Sequence, residues 1–288
     1  MFDTIAGAPP QCPTAWPVWS RADLYAEGWT WRTIRGAITD GVLIRARRDA
    51  YLDGSVDAAT RVAGEVGGQL ACVSELARRG VFVLERGGLH VRMHARNGRV
   101  RRTPAGLRVH WTGGDGSRAA NVPIIDALVE AMRCQPPIEA IATLDSALHR
   151  GLIDEPALAE VRQRLPKRLR VLCKLVDARA EAGGESIMRL LLRKLGCQVE
   201  SQVEIPGVGR VDFLVDGWLI VECDSQAHHS TWEHQRRDRR RDQAAAARGY
   251  ATFRPIAEDI FWNREVVVAA LKGLQALGEN LSARPSRR

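Results

Sequence analysis

Two short stretches of helical period open the legible part of the chain. "SRADLYAEG" begins with Ser20 as an N-cap and stops at Gly28. "TWRTIRGAITDG" begins with Thr30 and stops at Gly41, and its Ile34, Ala37 and Ile38 share one helical face. "VLIRARRDAYL" then alternates apolar and basic positions, Leu43 against Arg45 and Arg47, as a β-hairpin does. Two short helices joined at a glycine and followed by a hairpin make a winged helix-turn-helix pattern.

The middle is patterned less regularly. "AATRVAGEVGGQLACVSELARRGVFV" predicts two helices, and "LHVRMHA" and "LRVHWTG" predict strands around the Arg-rich turn "RNGRVRRTPAG". Four helical patterns follow: "VPIIDALVEAMRC", "IEAIATLDSALHRG", "EPALAEVRQRL" and "LRVLCKLVDARAEA". "GGDGSRAAN" and "RCQPP" read as linkers.

The last third gives a clearer order. "GGESIMRLLLRKLG" is a helix with Ile187, Leu190, Leu191 and Leu195 on its apolar face. "CQVESQVEI", "GRVDFLV" and "WLIVECD" are strands, joined at Pro206-Gly207 and at Asp216-Gly217. The helix "TWEHQRRDRRRDQAAAARG", the strand "YATFRPI" and the helix "REVVVAALKGLQALG" complete an α-β-β-β-α-β-α order. The expected fold class is mixed α/β (α+β). It comprises a winged helix over 1–54, a mixed middle region with helices over 55–180, an α/β domain over 181–280 and a disordered tail over 281–288. The last domain is a mixed sheet flanked by helices.

Composition changes this picture little. The 288 residues are 45% apolar, enough for a sizeable core, and carry a formal net charge of +8. That balance suits a nucleic-acid partner without requiring one. The six cysteines show no CxxC pair and no zinc-type spacing, so they read as reduced, mostly buried thiols of a cytoplasmic protein. The N-terminus lacks the basic and apolar regions of a signal peptide. No stretch reaches the roughly 18 apolar residues of a membrane span.

The candidate chemistry lies in "RVDFLVDGWLIVECDSQAHH". Asp212 stands in one strand, and Glu222 and Asp224 stand at the end of the next, on one face. Facing positions of a hairpin bring side chains within about 5 Å, so the three acids converge. Clustered carboxylates repel unless a cation neutralises them, and a hard divalent ion, magnesium or manganese, does so with oxygen ligands. Glu185 enters from the preceding helix. His228 or His229 follows as a general base.

These residues carry a resemblance. "GGESIMRLLLRKLG", "VGRVDFLVDGWLIVECDSQAHH" and "RRDRRRDQAAAARGYATFRP" resemble the Vsr-like endonuclease domains of the PD-(D/E)XK nuclease superfamily. The resemblance implies a restriction-endonuclease-like sheet flanked by helices. It implies Glu185 as the helix acid, and Asp212 and Glu222 as metal ligands. Asp224 stands where the superfamily motif has Lys, and His229, with His228 as runner-up, is its replacement. Gln202 lines the site. On the helix "EHQRRDRRRDQ", Arg237, Arg240 and Arg241 either grip phosphates or form a solvated charged face, and Arg254 is a weaker phosphate candidate. Trp218 and Trp232 read as core or cover.

Residues 18–52 resemble the N-terminal winged-helix domain of AbiEi-type antitoxins, and "LACVSELARRG" resembles the second domain of that group. That resemblance implies a second helix in the major groove, with Trp31, Arg32 and Arg35 on DNA. Arg45, Arg47 and Arg48 fall on phosphates. The function expected is a metal-dependent endonuclease or nickase acting on DNA in defence or repair. The alternative is a non-enzymatic antitoxin-type regulator with a cognate toxin as partner. RNA in place of DNA is a third reading.

Overall fold

The structure, a computed structural model, describes residues 16–84, 87–95, 104–113, 118–223 and 232–282. It is a mixed α/β protein with small sheets and many helices. The chain forms two compact units. One runs to Gln135 and includes Glu155–Arg170, and the other comprises Pro136–Asp154 and the chain from Val171 onward.

The first unit opens with α1 (Arg21–Ala26), α2 (Trp31–Thr39), β1 (Leu43–Arg47) and β2 (Ala50–Asp53). Both helices start in reciprocal caps. Ser20 accepts from the Asp23 amide while Asp23 accepts from the Ser20 amide, and Thr30 and Thr33 repeat the arrangement. Leu24, Ile34, Ala37, Leu43 and Tyr51 form their core, flanked by Trp19 and Trp29. β1 and β2 pair antiparallel with a bulge between Arg45 and Arg47. The helix, helix and hairpin order is the one the sequence predicts.

After α3 (Ala58–Val66), a three-stranded sheet is built from β3 (Gln69–Leu70), β4 (His90–His94) and β5 (Arg108–Thr112). β3 runs antiparallel to β4, and β5 runs parallel to it. α4 (Cys72–Arg78), α5 (Ile124–Cys134) and α7 (Glu155–Arg164) belong to this unit.

The second unit takes in α6 (Pro137–His149). Its sheet has the order β6 (Val199–Ile205), β7 (Gly209–Val215), β8 (Leu219–Val221) and β9 (Ala251–Phe253). The first three strands are antiparallel neighbours, and β9 joins β8 in parallel. Asp216 (φ 51°) and Gly217 (φ 74°), both left-handed, turn β7 into β8, and the Trp218 amide closes the turn on the Val215 carbonyl at 3.2 Å. The helices are α8 (Gly183–Lys194), α9 (Trp232–Ala246), α10 (Ala257–Trp262) and α11 (Arg264–Ser282). α11 thus runs past residue 280, while 283–288 of the expected tail lie outside the described residues.

One expected helix is absent. "LRVLCKLVDARAEA" forms two short 3₁₀ turns, Lys167–Leu169 and Leu172–Leu175, followed by extended backbone at Val176. Its polar backbone groups bond to side chains instead of to the next turn. Arg189 donates to the Leu175 carbonyl at 2.8 Å, and the Asp177 amide donates to Asp145 at 2.7 Å. Arg189 and Asp145 also pair at 2.7 Å inside the core, which fixes α6 to α8.

Candidate functional site

Four elements of the second unit bring the sequence's acids together. Glu185 lies in the first turn of α8, and Gln202 lies mid-way along β6. Gln202 has φ 55°, a left-handed conformation outside its ladder, and its Nε2 donates to Glu185 Oε2 at 2.9 Å. The Glu181 amide donates to the same oxygen at 3.1 Å. Among the described residues, the Oε1 of Gln202 is buried without a hydrogen-bond partner.

Asp212 and Glu222 stand one rung beyond the last β7–β8 pair, Phe213 with Val221. Period two places them on the face of Leu214 and Ile220, opposite Phe213 and Val221. Asp212 accepts from the Cys223 amide at 2.8 Å, so the chain leaving β8 is tied back to β7. The Asp212 charge also reaches Glu185. Burial first, and Asp212 second, push the Glu185 carboxyl up to about 7.

Glu222 is matched differently. One carboxylate oxygen takes Arg241 Nη2 at 2.7 Å, and the other takes Arg254. Arg254 continues to Asp242 at 3.0 Å. Burial above all, with Asp212 and Asp242, raises the Glu222 carboxyl, and Arg254 and Arg241 only partly offset the rise. Arg241 was expected on phosphate, but it is turned inward. Its Nε donates to the Val208 carbonyl at 3.1 Å and its Nη2 to the Arg210 carbonyl at 2.7 Å. A buried carboxylate needs donors of this kind, and Arg241 is the one α9 presents to it.

The other arginines of α9 face outward. Arg237 and Arg240 are exposed and line a shallow groove with Arg236 and Glu233. Trp232 is exposed rather than cover, with Arg239 stacked over its ring at 5.6 Å. Asp224, His228 and His229 lie outside the described residues.

In the winged region, Trp31, Arg32, Arg35, Arg45, Arg47 and Arg48 are all exposed. Arg35 lies over the Trp31 ring at 5.4 Å. Ile34 and Ala37 hold the opposite face of α2 in the core.

A further set of candidate metal ligands lies in the first unit. Among the described residues, the group of donor side chains close enough for one ion is Cys72, His90, His110 and Cys134, whose donor atoms all lie within 4.8 Å of one another. Glu185, Asp212 and Glu222 are not such a group of three, and Glu222 is paired with two guanidinium groups. The cysteine spacing read from sequence missed the first cluster because its members come from four separate elements of the first unit.

No helix among the described residues is long and apolar enough to cross a membrane. No protein-family model matches the chain, and no curated protein matches its sequence.

Proposed function

We propose that the protein is a cytoplasmic, DNA-binding, metal-dependent endonuclease or nickase of defence or repair. The observation that carries this reading is the meeting of Glu185, Gln202 and Asp212, with Glu222 beside them, from four consecutive elements. The donors suit magnesium or manganese, because each is an oxygen and Gln202 Oε1 is a buried acceptor without a partner among the described residues. Asp212 and Glu222 would hold the ion. When bound, it would lower the pKa of its water and offset charge on a phosphoryl group.

The chain's own groups divide the remaining work. Gln202 fixes the Glu185 carboxyl by its amide, and Glu185 exchanges a proton near neutral pH. Arg241 and Arg254 set the orientation of Glu222. His229, or His228, accepts the proton of the attacking water, in place of the superfamily's lysine. The exposed face of α2 and the basic hairpin hold duplex DNA, with Arg32 and Arg35 toward the groove and Arg45, Arg47 and Arg48 toward phosphates.

A second reading is favoured by the pairing of Glu222. With both oxygens on arginine, the acid acts as a structural anchor, and the protein is a regulator of the antitoxin type. One experiment separates the two. Purified wild type and Asp212→Asn are incubated with magnesium or manganese on supercoiled plasmid and on single- and double-stranded DNA and RNA oligonucleotides. Metal-dependent nicking or cutting by wild type alone supports the enzyme. Identical behaviour of both proteins on every substrate removes it, and promoter binding without cleavage then supports the regulator.

A further inference from the structure

The Cys and His cluster of the first unit belongs to no part of the reading above. Cys72 is the first residue of α4, His90 the first of β4, His110 the middle of β5 and Cys134 the last of α5. β4 and β5 run parallel with His90 opposite Arg108 and Arg92 opposite His110. The two histidines therefore project from the same face, two rungs apart, and their ring centroids are 5.3 Å from each other.

The distances are those of a coordination shell. Bonds of about 2.0–2.3 Å around a tetrahedral zinc require donors roughly 3.3–3.8 Å apart. His90 Nδ1 lies 3.1 Å from His110 Nε2 and 3.8 Å from Cys134 Sγ. Two thiols and two imidazoles are soft and borderline donors, which select zinc over magnesium.

A second observation concerns the backbone. Cys72 has φ 50°, a left-handed value that non-glycine residues rarely hold. Its amide is held there by Glu130 Oε2 at 3.1 Å, and Glu130 is itself held by Arg92 at 2.6 Å. Strain of this kind persists where the surroundings over-determine a functional geometry. Cys72 and His90 are buried, whereas His110 and Cys134 are half-buried and line an open cavity. Arg108 reaches Cys134 Sγ from that cavity at 3.2 Å.

We propose that Cys72, His90, His110 and Cys134 form a structural zinc site that clamps the β4–β5 pair to the ends of α4 and α5. Four protein donors close the shell, so the ion holds the fold and performs no catalysis. The cavity beside His110 and Cys134 is the path of entry. This proposal is independent of the nuclease reading.

The test uses the full chain, purified without chelator or metal-affinity resin, and elemental analysis. About one zinc per chain is expected in wild type and in Asp212→Asn, and less than about a tenth of that in Cys72→Ser/Cys134→Ser. Cobalt titration of the chelator-stripped wild type needs no variant. It should give visible tetrahedral bands and a near-ultraviolet thiolate-to-cobalt band, both erased by added zinc but not by magnesium. Cys134→Ser, at the half-buried rim, should weaken the thiolate band while circular dichroism stays that of wild type. The proposal is overturned by a wild type that takes up neither zinc nor cobalt. It is equally overturned by uptake that survives loss of both cysteines, or by a Cys72–Cys134 disulfide found by mass spectrometry in place of metal.

Discussion

Arg241 Nη2 lies 2.7 Å from Glu222 Oε1 and 2.7 Å from the Arg210 carbonyl, so one edge of a guanidinium ties α9 to β7 and to the end of β8. The Nε and Nη2 donors of Arg241 are thereby committed to the fold. Arg241→Gln should lower unfolding stability by about 1–3 kcal/mol, because it leaves a buried carboxylate with Arg254 alone. Arg241→Lys should recover less than half, since an ammonium lacks the planar fork. Urea unfolding of the three proteins measures both; unchanged midpoints would show that the bridge contributes nothing.

Glu185 gives a pH dependence with a definite sign. Its carboxyl is pushed from the ordinary 4.5 to about 7 in the fold. Between those values the folded chain binds the proton more tightly than the unfolded chain, so stability falls as pH rises through the window. Glu185→Gln keeps the neutral shape. It should be near wild type at pH 4 and more stable by about 3 kcal/mol at pH 8. Unfolding curves across this range check it, and a parallel pH profile for the two proteins refutes it.

Binding to duplex DNA should depend on the charges of the winged region. Each of Arg32→Ala and Arg45→Ala should reduce the slope of log affinity against log salt by about one if the side chain contacts phosphate. An arginine directed at a base would instead cost affinity on one sequence and leave the slope nearly unchanged. Fluorescence anisotropy on several duplexes at graded salt distinguishes these outcomes.

The Arg189–Asp145 pair is the most deeply buried ion pair among the described residues of the second unit, with side chains 1% and 0% exposed. Asp145→Ala should cost about 3–5 kcal/mol, because it leaves the guanidinium unpaired in the core. It should also loosen the segment after Leu175, since Asp145 holds the Asp177 amide. Asp145→Leu combined with Arg189→Met should recover most of the loss. Additive losses in this double variant would contradict the pair's role.

Much of this fold follows from local signals. The caps at Ser20 and Thr30, the Asp216-Gly217 turn and the alternation through Val211, Phe213 and Val215 each act within a few residues. They are therefore readable in order along the chain. "LRVLCKLVDARAEA" misled because its backbone is claimed by Asp145 and Arg189, which lie on other helices.

The site divides along the same line. The sequence by itself determined that Glu185, Gln202, Asp212 and Glu222 sit on successive elements, because strand period and turn chemistry are local. Only the tertiary structure decided that Glu222 is matched by Arg241 and Arg254, since burial forces a carboxylate to take whichever donors the fold places near it. Only the tertiary structure gathered Cys72, His90, His110 and Cys134, because parallel pairing and helix packing join residues that share no spacing in the sequence.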